Sequence, residues 1–146
     1  MEYIRPNSTP DKLAVDAYAN GNYIEAIQLL HSWLENQAQE LLKIVGSEYF
    51  NAKLEETWNI TDTLSFNICI KVLFILNQIS SIEYDDFREF NSLRNKIIHQ
   101  IYKEPYEKEF LGIPKQHYDK VYEKSLEQVW FFSNKSGEVM MKTNPK

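Results

Sequence analysis

The stretch YIEAIQLLHSWLENQAQELLKIVG, from Tyr23 to Gly46, decides the fold. Tyr23, Ile27, Leu30, Leu34, Ala38, Leu41 and Val45 recur every three or four residues for about six turns, the spacing of one helix face. Ala26, Leu29 and Trp33 widen that stripe, so this helix has neighbours on more than one side. Asn22 followed by Glu25 predicts a capped start, and Gly46 predicts the stop. No strand pattern of comparable length competes anywhere in the chain.

Working outward, four more helices emerge. Thr9-Pro10-Asp11 opens the first, a cap residue followed by proline at the first helical position, and Asn20-Gly21 closes it. Residues 47–63 carry scattered aromatics (Tyr49, Phe50, Trp58) and a Thr61-Asp62-Thr63 cluster suited to capping the next helix. A third helix, about Leu64 to Ile79, is apolar on most faces, with Asn67, Lys71 and Gln78 on one narrow wet strip, so it is expected at the centre. Ser80 and Glu83 form a capping box before a fourth helix, about Ile82 to Lys103. Pro105, Gly112 and Pro114 mark a loop, and a fifth helix carries Tyr118, Val121, Tyr122, Leu126, Val129 and Trp130. The expectation is an all-α chain, an antiparallel bundle of about five helices. A tail over residues 1–9 precedes a helical domain over 10–134, and a polar, frayed tail covers 135–146.

Composition narrows the function. A chain of 146 residues buries roughly 68–70% of its unfolded surface, enough for a core without staples. The single cysteine, Cys69, excludes an internal disulfide framework and a cysteine-cluster metal site, and three histidines leave little for a histidine site. The most apolar stretch is too short and too polar to span a bilayer, and Met1-Glu2-Tyr3-Ile4-Arg5-Pro6 has no apolar signal core. A soluble, cytoplasmic protein with no membrane partner is expected. A net charge of −5 argues against diffuse binding of nucleic acid.

The fourth predicted helix holds a misplaced cation. With Phe87 at zero and about 100° per residue, Phe90, Ile97, Ile98 and Ile101 fall between roughly 280° and 20°, and Arg94 falls near 340°, inside that apolar arc. An unpartnered buried charge costs several kcal/mol, so such an arginine calls for compensation. Asn91, Asn95 and Tyr102 lie at roughly 40–80°, and His99 near 120°, making a polar ridge beside the apolar seam. Arginine offers a permanent two-pronged charge for phosphate oxygens, and histidine exchanges protons near neutral pH. The other arrangement is structural: Arg94 pairs with a carboxylate of another helix and His99 sits at the core boundary.

Leu93-Arg94-Asn95-Lys96-Ile97-Ile98-His99 resembles the R-x4-H motif of HEPN domains, small helical bundles of bacterial and archaeal defence and toxin–antitoxin systems. The resemblance implies a metal-independent endoribonuclease that needs no cofactor, dimerising through the fourth-helix face so that two motifs share one cleft. His99 would then be general acid or base for attack of an RNA 2′-hydroxyl on the adjacent phosphate, leaving a 2′,3′-cyclic phosphate. Arg94 would stabilise the developing charge, and Asn95 would orient His99 or the phosphate. Lys96, Arg88 and Lys103 are the RNA-binding candidates. The partners implied are RNA and a nucleotidyltransferase-type or other antitoxin. Members of that kind often show R-x4-H-x-Y, with the tyrosine as target of nucleotide transfer. Here Tyr102 stands one residue later, so packing and modification both stay open for it, as an accessory role does for Asn91.

Other residues carry less. His31 and Glu35, four apart on the second helix, make a buried pair or a supporting element; His117 is expected in solvent and Cys69 in the core. Trp33, Trp58 and Trp130 read as core, and no glycine-rich phosphate loop or Ser/His/Asp arrangement is legible. The competing function is a non-catalytic helical dimer that binds a protein or nucleotide. Local charge favours a selective cleft: residues 88–103 carry Arg88, Arg94, Lys96 and Lys103 against Glu89, a local +3 that leaves −8 for the remainder of the −5 chain.

Overall fold

The computed structural model describes residues 1–100 and 112–143, and within them every regular element is a helix. In chain order these are α1 (Pro10–Ala19), α2 (Tyr23–Phe50), α3 (Leu54–Thr61), α4 (Phe66–Ile75), α5 (Ser81–Gln100) and α6 (Lys115–Thr143). The predicted second helix is α2, the predicted third is α4, the fourth is α5 and the fifth is α6. Residues 47–63, to which the sequence assigns no helix, hold α3, a short helix whose Thr57 and Thr61 hydroxyls donate back to the carbonyls of Lys53 and Thr57.

Three boundaries move for local reasons. Gly46 does not stop α2, because glycine in a helix interior costs only about 1 kcal/mol. The helix ends instead at Asn51, which adopts φ 53°, and Ala52 N–H returns to the Gly46 carbonyl at 3.0 Å. Ser65 caps α4 by accepting from Ile68 N–H, and left-handed Asn77 (φ 61°) ends it before the predicted Ile79. The polar tail expected from Lys135 is helical to Thr143, with Val139 in the core and Ser136 buried beside it. The capping box is present as read: Ser80 N–H donates to Glu83 Oε1 at 2.8 Å and Glu83 N–H to Ser80 Oγ at 3.1 Å. Asn22 occupies the N-cap of α2 without a side-chain capping bond.

The hub is α2, which packs on α1, α3, α4 and most extensively α6. Its Ile27, Leu34, Leu41 and Val45 meet Phe66, Ile70 and Leu73 of α4, Phe87, Phe90 and Ile97 of α5, and Val121, Val129 and Phe132 of α6. Phe66 is the centre, with edge-on ring contacts to Phe87, Phe90 and Phe132 at 6.1–6.4 Å. The central place expected for α4 holds for one face only: Phe66, Cys69, Ile70 and Leu73 are buried in the core, while Ile68, Phe74 and Ile75 are exposed. The tryptophan reading is corrected too. Trp33 packs on the core, but Trp58 and Trp130 are 47% and 62% exposed, and Trp58 lies under the Lys43 ammonium at 4.8 Å. Lys124 of α6 pairs with Asp86 of α5, fastening those helices at one level.

Candidate functional site

Arg94 emerges from the core-facing side of α5, between buried Phe90 and Ile97, and is half-buried. Its Nη2 donates to Asn95 Oδ1 at 2.7 Å, while Nε is enclosed without a hydrogen-bond partner. Burial pulls the guanidinium below its ordinary range, and the carboxylate of Glu35 partly offsets that. A cation on an apolar face has thus found an opposite charge on another helix.

Glu35 is held where α2 crosses the start of α4. Its Oε2 accepts from Phe66 N–H at 3.0 Å, satisfying a donor that the first turn of α4 leaves free. One turn on, Gln39 Nε2 donates to the Leu64 carbonyl at 2.8 Å, so two α2 side chains clasp the turn entering α4. His31, one turn back, places Nε2 3.9 Å from Glu35 Oε2 and its ring edge-on to Phe66. Burial first, then the Arg94 charge, lowers the His31 pKa to about 4, so the ring is neutral at pH 7. Neutral His31 keeps Nδ1 enclosed without a partner. Burial first, and then the Glu35 charge, pushes the Cys69 thiol up to about 11, which removes it as a nucleophile.

The sequence-assigned residues therefore divide. Arg94 and Asn95 join His31 and Glu35 in a cluster at the start of α4, with Asn91 half-buried one turn before Asn95. His99 is exposed and leaves α5 about 140° around from Arg94. It shares its side of the helix with Ser92 and Lys96, seven and three residues earlier. Arg88 and Lys96, both exposed, line a concavity of about 690 Å³ on the flank of α5 together with Lys120 of α6. Tyr102 and Lys103 lie outside the described residues. Lys120 was not legible as a site residue, since only the packing of α6 on α5 brings it beside Lys96.

Among the described residues, no group of three or more His, Cys, Asp and Glu side chains is placed to hold a metal ion. No helix among them is long and apolar enough to cross a membrane. Compared with protein-family models, curated proteins and solved structures, the chain matches none.

Proposed function

We propose that the chain is a metal-independent endoribonuclease of HEPN type, an antiparallel bundle that acts as a cytoplasmic homodimer, the toxin or defence effector of a toxin–antitoxin-like pair. One observation carries the reading: a half-buried Arg94 with an unengaged Nε is followed, five residues on along α5, by an exposed His99. In the reaction, the RNA 2′-oxygen attacks the adjacent phosphorus as a histidine accepts the hydroxyl proton. The P–O5′ bond breaks, a proton passes to O5′, and the products are a 2′,3′-cyclic phosphate and a 5′-hydroxyl. Arg94 stabilises charge gathering on the non-bridging oxygens, and Asn95 steers its guanidinium. Two protomers meeting through α5 supply two His99 side chains, one for each proton transfer.

The test is cleavage of RNA by purified protein in the presence of a chelator, with wild type, Arg94→Ala and His99→Ala compared. Wild-type cleavage leaving cyclic-phosphate ends and at least a hundredfold loss in each folded variant is expected. Equal inactivity of all three overturns the proposal.

The second reading is a non-catalytic helical dimer binding a protein or nucleotide. It is favoured by the net charge of −5 and by Tyr102 standing one residue beyond the place of the tyrosine in R-x4-H-x-Y. Under that reading Arg94→Ala weakens self-association and no RNA is ever cut.

A further inference from the structure

The flank of α5 that carries His99 also carries a line of polar side chains. Arg88, Ser92 and Lys96 stand at intervals of four, His99 three residues further on, and all four are exposed. Residues so spaced stack along one side of a helix. Alongside runs α6, whose Lys120 faces this line across the 690 Å³ concavity. Its volume is in the range of ligand pockets, but such pockets are mostly apolar, and this one is rimmed by charge. Three cations stand there against Asp85 and Glu89.

Arg88 and Lys96 are eight residues apart, about 12 Å along the helix axis at 1.5 Å per residue. That exceeds the ~3.4 Å rise per nucleotide of a helical strand, so the two cations address different phosphates of one chain. The bridge from Lys120 to Glu89 is long, 3.9 Å, between side chains 53% and 71% exposed. Pairs of that kind contribute little and yield readily to a better anion.

We infer that the groove between α5 and α6 is the track on which the sugar-phosphate backbone of single-stranded RNA approaches His99. Lys120 is a phosphate contact beyond those on α5, and Glu89 is the built-in competitor that releases it. The inference rests on the ribonuclease reading for the role of His99. A single strand is specified because a backbone free of a duplex can be splayed at the scissile step.

The experiment is fluorescence anisotropy of a labelled 12-nucleotide 2′-O-methyl RNA, which lacks the attacking hydroxyl, titrated at several salt concentrations. Cleavage of the unmodified strand is followed in parallel. Lys120→Ala should weaken binding several-fold at low salt and reduce the magnitude of the log–log salt slope by about 0.7, the loss of one phosphate contact. Glu89→Gln should tighten binding, because it removes a like charge and frees Lys120. Lys53→Ala, at the exposed N-cap of α3 outside the groove, should match wild type. If Lys120→Ala and Glu89→Gln both bind and titrate as wild type while His99-dependent cleavage persists, the track is overturned and the ribonuclease reading stands. If wild type neither binds nor cuts RNA, both fall together. Circular dichroism on each variant separates misfolding from lost contact.

Discussion

Arg94 gives one of its guanidinium hydrogens to the amide oxygen of Asn95, its immediate neighbour in the chain, at 2.7 Å. Adjacent residues on a helix point about 100° apart, so the arginine stem must curl back toward its own helix to make this bond. The guanidinium is thereby kept at the rim of the core rather than extended into solvent, and Nε is left enclosed.

Replacing Asn95 separates packing from chemistry. Asn95→Ala should cost about 1.5–3 kcal/mol in urea unfolding, the usual range for a hydrogen bond to a charged group. Asn95→Asp keeps an acceptor and gives Arg94 a charged one, so stability should be at least that of wild type. The added negative charge should nevertheless suppress RNA cleavage by tenfold or more. Cleavage that follows stability in both variants would make Asn95 a structural residue alone.

The carboxylate of Glu35 should be coupled to Arg94 across helices. Glu35→Gln retains an oxygen for Phe66 N–H and removes only the charge. In a double-mutant cycle with Arg94→Met, a coupling of about 1 kcal/mol is expected, because removing one partner leaves the other half-buried and uncompensated. Additive losses would show that the two charges ignore each other.

Acid should weaken the fold through His31. Its pKa is near 4 in the folded protein against about 6.5 in an unfolded chain. Between those values the unfolded state binds a proton that the folded state refuses, so stability is full above pH 6.5 and falls as pH drops toward 4. The charged groups facing the ring are Arg94, which opposes protonation, and Glu35, whose Oε2 lies 3.9 Å from Nε2. The loss attributable to His31 is on the order of 3 kcal/mol. His31→Leu should flatten that part of the slope, measured as urea midpoints at pH 4, 5, 6 and 7. An unchanged slope would assign the acid sensitivity to carboxylates elsewhere.

The sequence disclosed those features that depend on period and on short-range chemistry. The α2 stripe is a repeat of 3.6 carried for more than six turns, and Ser80 with Glu83 is a local reciprocal cap; both survive unchanged. Arg94 was legible as anomalous because its neighbours on the wheel are apolar. Its surroundings were not, because no spacing within α5 reveals that Glu35 and His31 of α2 lie opposite. The helical end of α6 was hidden for a related reason: one valine and one small serine face inward there, too few to outweigh the polar residues around them. At Asn51 and Asn77 the chain turns on asparagines in a left-handed conformation, a choice that competes with helix only once the tertiary path is set.

Phe66 belongs to two worlds at once. Its ring is the hub of the aromatic interior, and its amide nitrogen is fastened to the carboxylate that faces Arg94. Interior packing and the ionisable cluster therefore share one backbone atom. A conservative exchange at Phe87 or Phe132, invisible from outside, would retune the electrostatics around Arg94 by nudging Phe66. A change of shape among the aromatic rings is thus passed, through a single amide, to the carboxylate that faces Arg94.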